Sequence, residues 1–171
     1  MSLLTTNGTA IIDNSSSNLS NFDNQTITPI LNGGYGATIS FNSSGARSSI
    51  TLAHRTYITG VFDHSVTGNL SINESSGASS RVISGTVTVY HNRARVIGTS
   101  VFTNVGHQDS CCTPTSGTIT TTFSAGANVS PTAIGDLLVG KSESLTFNGC
   151  GTAIYTAANG NTSNVTIRRC F

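Results

Sequence analysis

Cys111 and Cys112 stand side by side in the stretch His107-Gln-Asp-Ser-Cys-Cys-Thr-Pro, and the only other cysteines, Cys150 and Cys170, fall in the closing segments. Thiols grouped in this way can form disulfides, hold a metal or act as nucleophiles. His107 and Asp109 would complete a mixed ligand set for zinc, but no Cys-X-X-Cys or His-X-X-X-His occurs, so the spacing favours disulfides and implies no metal. A bond between adjacent cysteines strains the peptide between them. The residues therefore favour Cys111 and Cys112 each bridging to one of Cys150 and Cys170, with the assignment open and a strained, redox-active Cys111–Cys112 bond as the alternative. Each closed loop would contribute roughly 3 to 4 kcal/mol. Disulfides persist in oxidising compartments, which points to an extracytoplasmic location: periplasm, outer surface or secreted.

His54 and His64 are the next residues with chemistry to offer. They lie ten apart on the apolar side of an alternating stretch, with Asp63 beside the second. In a cavity they would serve as acid–base or metal groups; the plainer reading makes them hydrogen-bonded histidines of a core or rim. His91 is expected in a turn. No Gly-X-Ser-X-Gly, Ser-X-X-Lys or His-Glu-X-X-His marks a hydrolase. A Ser-His-Asp site could arise only in space, from His54, His64 or His107 with Asp63 or Asp109. Gly33-Gly34-Tyr35-Gly36 lacks a following lysine and helix, so it reads as a turn and not a phosphate loop. No catalytic residue and no cofactor is implied.

The elements that must position these residues are strands. Serine and threonine supply 51 of 171 residues, glycine 18 and asparagine 16, a mixture suited to strands and tight turns. Only 15 residues are charged, with a net charge of +1, so there is no field to attract nucleic acid or an anionic membrane. Solubility must rest on hydroxyls and amides. No run approaches the ~20 apolar residues of a membrane helix, and Met1-Ser-Leu-Leu does not begin a signal peptide, so export implies a leader removed upstream.

Residues 1 to about 25 read as an extended, flexible lead-in, or as an edge strand or one donated to a second copy. Residues 26–171 form one domain. From Ile50 to Ile72 the even positions are mainly apolar and the odd ones mainly polar, which is the period of a strand. The length requires breaks or bulges near Gly60 and Gly68. From Arg81 to Val105 a hairpin is expected, with a two-residue turn at His91-Asn92 pairing Val87 with Val96 or one at Asn92-Arg93 pairing Val89 with Val96. Further strands are expected at Ala37 to Phe41, Gly117 to Phe123, Ser144 to Phe147, Thr152 to Thr156 and Val165 to Arg168. A short helix is expected over about 131–139, capped by Ser130, with Ile134, Leu137 and Leu138 on its apolar face and Gly140 as its stop. Many short strands at this spacing mean an all-β, antiparallel sandwich or barrel-like domain.

The phrases Ser80-Arg-Val-Ile-Ser-Gly-Thr-Val-Thr-Val-Tyr-His-Asn, Cys111-Cys-Thr-Pro-Thr-Ser-Gly-Thr-Ile and Glu143-Ser-Leu-Thr-Phe-Asn-Gly-Cys-Gly-Thr-Ala, with the ending Arg169-Cys-Phe, resemble small exported proteins and lipoproteins of predatory Gram-negative bacteria. The likeness covers about residues 80 to 171 and carries no assigned chemistry. It implies export to the periplasm or cell surface.

The sequence thus predicts a non-catalytic extracytoplasmic surface, adhesion or structural domain. Its partners would be a second copy or a cell-surface glycan or protein. Two alternatives stand beside it: a module holding a glycan or small ligand, which unfilled volume inside the sheet would favour, and a hydrolase with a spatially assembled site.

Overall fold

A computed structural model of the chain describes residues 2–6, 9–13, 36–58, 62–74, 77–91, 93–126 and 131–167. The strands are β1 (Ser2–Thr6), β2 (Thr9–Asp13), β3 (Gly36–Phe41), β4 (Arg47–Ile58), β5 (Phe62–Glu74), β6 (Ser80–His91), β7 (Val96–Gln108), β8 (Cys111–Ala125), β9 (Ser142–Gly149), β10 (Thr152–Thr156) and β11 (Thr162–Thr166). A single helical turn, α1 (Ala133–Asp136), separates β8 from β9. Each strand pairs antiparallel with its neighbours in sequence, so one sheet runs in the order β1 to β11. The protein is all-β, as its composition implies, and the N-terminal lead-in contributes two strands to one edge of the sheet.

Strict alternation gives this sheet two chemically different faces. Registers line up Thr67, Thr88, Thr99, Thr122 and Ser142 across β5 to β9. A neighbouring row runs Thr51, Asn69, Thr86, Val101, Thr120 and Ser144. Side chains bond along these rows, Thr51 to Asn69 at 2.9 Å and Thr122 to Ser142 at 2.9 Å. This is the face on which hydroxyls replace charge. The opposite face carries Ile50, Leu70, Phe102, Ile119 and Leu145, the first two cross-strand partners and the last three another connected row. Its packed part is centred on Val105, Phe147 and Ala153, with Ile83, Phe102, Ile119, Leu145 and Ile167 against them.

Several expectations need correction. The β6–β7 connection takes neither two-residue turn: His91 pairs with Val96, Val89 with Gly98 and Val87 with Ser100, around a four-residue loop. The Arg95 amide donates to the His91 carbonyl at 2.7 Å and Arg95 adopts φ +58°, and this left-handed residue returns the chain to the ladder. His91 is therefore the last residue of a strand. The break near Gly60 falls outside the described residues, whereas β5 runs through Gly68 without a shift in pairing. Gly68 instead permits close approach, since a Cβ there would meet the Thr86 carbonyl and Val87 Cα.

The helix is shorter than expected and is capped by Thr132, whose Oγ1 accepts from the Gly135 amide at 3.3 Å. Ile134 and Leu137 are exposed and only Leu138 is half-buried, so most of the expected apolar face does not pack. The segment is held through its backbone: the Thr132 amide donates to the Ala94 carbonyl at 3.1 Å, and Gly135 lies too close to Ala94 for any side chain. It covers the β6–β7 loop above buried Val96. The closing strand is Thr162–Thr166, earlier than the expected Val165 to Arg168.

Among the described residues one disulfide is present, Cys111–Cys150, with 5.7 Å between Cα atoms. No described cysteine is a free thiol, and Cys170 lies outside the described residues. The adjacent-pair bond is excluded for Cys111. The β8–β9 ladder runs from Thr122↔Ser142 to Thr118↔Thr146 and stops there. Beyond it, the disulfide and a hydrogen bond from the Gly151 amide to buried Thr113 Oγ1 at 2.7 Å tie β8 to the turn that follows β9. The sulfur bridge takes over where backbone pairing ends.

Candidate functional site

The apolar face is not completely filled. A partly open cavity of about 380 Å³ lies against strands β3 to β9, with Ile39, Ile50, Leu70, Ile72, Phe102 and Ile119 among its walls. That β3 and β9 share one cavity shows that the sheet curls around it. Its volume lies at the small end of the roughly 300–1,000 Å³ typical of ligand pockets.

Two bulges bring polar side chains into this apolar space. On β4 the pairing passes from Ser40↔Ser49 to Phe41↔Arg47, so Ser48 is an extra residue. The inward set then changes from even positions, including Ile50, to odd ones, including Arg47. On β7 the pairing with β6 passes from Gly85↔Phe102 to Ile83↔Val105, so Thr103 and Asn104 face the single residue Ser84. Asn104 takes φ +50° in that bulge. On β8, Gly117 at φ +88° accommodates it, because a Cβ there would strike the Asn104 carbonyl. Parity changes again, and Val105 and His107 join Phe102 inside.

The result is a polar end to the cavity. Glu74, Arg81 and His107 are successive cross-strand partners on β5, β6 and β7. Arg47 donates from Nε and Nη2 to the two Glu74 oxygens at 2.7 and 2.6 Å. This fork holds the Glu74 carboxyl below the usual carboxylate range and the Arg47 guanidinium above its own. Arg81 meets Asp109 at 3.4 Å, and that carboxylate is largely exposed while the Arg81 side chain is 22 % accessible. His107 is buried beside Arg81; burial first, and then the guanidinium charge, lower its pKa.

The opposite end of the same face holds a second pair. His64 Nε2 and His91 Nδ1 lie 2.9 Å apart, with ring centroids at 4.4 Å and planes at 83°. Burial, and then the neighbouring His64, lower the pKa of His91. Alternation places His64 on the apolar face, but a His91 expected in a turn is no partner for it; as the last residue of β6, His91 is. His54 pairs with Val66 and Asp63 with Tyr57 in the ladder; their side chains lie outside the described residues. The candidate residues thus divide between two ends of the sheet. Asp109 engages Arg81, and His107 faces a cation that disfavours the imidazolium a general base must become. Among the described residues no group of three His, Cys, Asp or Glu could hold a metal.

These imidazoles, His107 buried and His91 half-buried, make stability depend on pH. Unfolded histidine takes up a proton near 6.5, while the fold prefers His91 and His107 neutral. The unfolded state therefore binds more protons below that value, and stability must fall as pH is lowered through 6.5 towards the depressed folded values. Above about pH 7.5 this contribution is complete. Urea unfolding at pH 7.5, 6 and 5 should show the decline, and His107→Gln should flatten it; an unchanged slope in that variant would remove His107 as a cause.

Arg47 and Glu74 were not singled out from sequence. A legible signal was present, since Glu74 and Arg81 bracket the turn-forming Ser75-Ser-Gly-Ala-Ser79 with opposite charges. No helix among the described residues is long and apolar enough to cross a membrane. The chain matches no family model, no curated protein and no solved structure.

Proposed function

We propose that this chain is a non-catalytic β-module that works outside the cytoplasm and holds a small apolar ligand within its curled, barrel-like sheet. The cavity carries this reading: aliphatic and aromatic side chains from several strands surround unfilled space. Apolar wall left open to water forgoes roughly 25 cal/mol for each Å² that burial would remove from solvent, so retaining it calls for a use. The Cys111–Cys150 bridge is compatible with an oxidising compartment, and the resemblance to exported proteins and lipoproteins points the same way. A second bridge between Cys112 and Cys170 belongs to this proposal.

A surface or adhesion role is the second reading, supported by the hydroxyl rows on the outer face, which offer donors and acceptors to a glycan, a protein or another copy. The hydrolase ranks below both because Asp109 engages Arg81. Titration with the neutral fluorophore N-phenyl-1-naphthylamine tests the first reading. Binding should saturate at one probe per chain, and Ile119→Trp, which fills the cavity, should abolish it. Binding that never saturates, or that the Trp variant retains, would overturn it.

A further inference from the structure

The walls of the cavity are apolar along most of its length, but one end is cationic, and this asymmetry specifies more than hydrophobicity. Two guanidinium groups, Arg47 and Arg81, and the His107 imidazole meet there with one inward carboxylate, Glu74. Glu74 already has both oxygens engaged by Arg47. Arg81 differs: its ion pair with Asp109 is long, and Asp109 lies out in solvent at 61 % side-chain exposure. The Arg81 guanidinium therefore keeps donor capacity on the cavity side, beside a buried imidazole that carries one N–H donor in its neutral form.

We infer that the ligand is a single alkyl chain with an anionic head, its chain along Leu70, Phe102 and Ile119 and its head against Arg81 and His107. The inference rests on the apolar-ligand reading above. A cationic head would meet two guanidinium groups and no uncommitted carboxylate. A neutral chain would leave the partly desolvated Arg81 with its weak outer partner alone. A carboxylate or phosphate head offers the planar acceptors that a guanidinium fork matches, at a site where water is already reduced. The small volume suits one chain.

The experiment compares hexadecanoate with hexadecanol, each below its aggregation threshold, as competitors of the neutral fluorophore on the unmodified protein. The carboxylate should compete about 10-fold or more better than the alcohol, as expected for one charge-assisted contact. Arg81→Gln, which shortens the side chain and replaces the charge with a neutral amide, should remove that preference, bringing hexadecanoate down to the level of hexadecanol. Equal competition by the two ligands on the unmodified protein would overturn the anionic head and leave the apolar cavity standing. Failure of both to compete, with no saturable fluorophore binding, would overturn the two proposals together.

Discussion

Phe147→Ala is expected to lower the free energy of unfolding by about 3–5 kcal/mol, the usual cost of deleting a buried phenyl ring. Phe147 is 4 % exposed and belongs, with Val105 and Ala153, to the packed part of the apolar face. The small partner Ala153 stands directly opposite on β10, and the ring spans the space that a larger partner would otherwise fill. It also lines the cavity, so its removal would merge new empty volume with old. With typical domain stabilities of only about 5–15 kcal/mol, this one side chain would account for a large share. Urea unfolding of the purified variant measures the change. Ile134→Ala on α1 is the control: at 73 % exposure it should shift stability by no more than about 0.5 kcal/mol. If the two variants lost similar amounts, the packed part of the sheet would have to lie elsewhere.

The large effect at Phe147 and the small one at Ile134 also show what local sequence can and cannot convey. Phe147 sits in Leu145-Thr-Phe147, an alternation that predicts the strand found there, and its ring is buried. Ile134, Leu137 and Leu138 have the spacing of an amphipathic helix, yet the segment is held by backbone bonds to Ala94 and leaves two of the three exposed. Spacing defines a face but not whether a partner meets it. The same limit explains the missed hairpin register. Alternation in β6 and β7 is satisfied by any even shift, and the deciding residue, Arg95 in a left-handed conformation, has no special propensity for it.

The polar end of the cavity was hidden for a related reason. Period two, followed without interruption along β7, places His107 on the face opposite Phe102; the extra residue in the bulge at Asn104 puts them on the same one. Ser48 does the same for Arg47 and Ile50. Bulged positions are set by the neighbouring strand, here by Gly117 making room for Asn104, so no window of sequence around His107 contains the signal. His107 is a sequence candidate through its closeness to Cys111 and Asp109, yet Cys111 anchors β8 through its disulfide while His107 lines the cavity beside Arg81.

Replacing the bridge, as Cys111→Ala with Cys150→Ala, should cost about 4 kcal/mol, from chain-entropy scaling for a loop whose ends are 39 residues apart. The loss should be uneven along β8. From Thr118 to Thr122 the strand is held by ladder bonds to β9 and by hydroxyl contacts such as Thr118 to Thr146. From Cys111 to Ser116 the connection to the β9–β10 turn rests on the disulfide and on Thr113 accepting from Gly151. Hydrogen exchange should therefore accelerate first at residues 111–116 in the variant, while the amides of 118–122 exchange only with global unfolding. Acceleration spread equally over β8 would mean that the bridge constrains the unfolded chain alone and does not hold this end of the strand. Intact mass with and without reductant completes the test. The unmodified protein from an oxidising compartment should differ by about four protons if Cys112 also bridges to Cys170, and the variant by about two. Four free thiols would remove the structural role of the cysteines and the argument for an oxidising compartment with it.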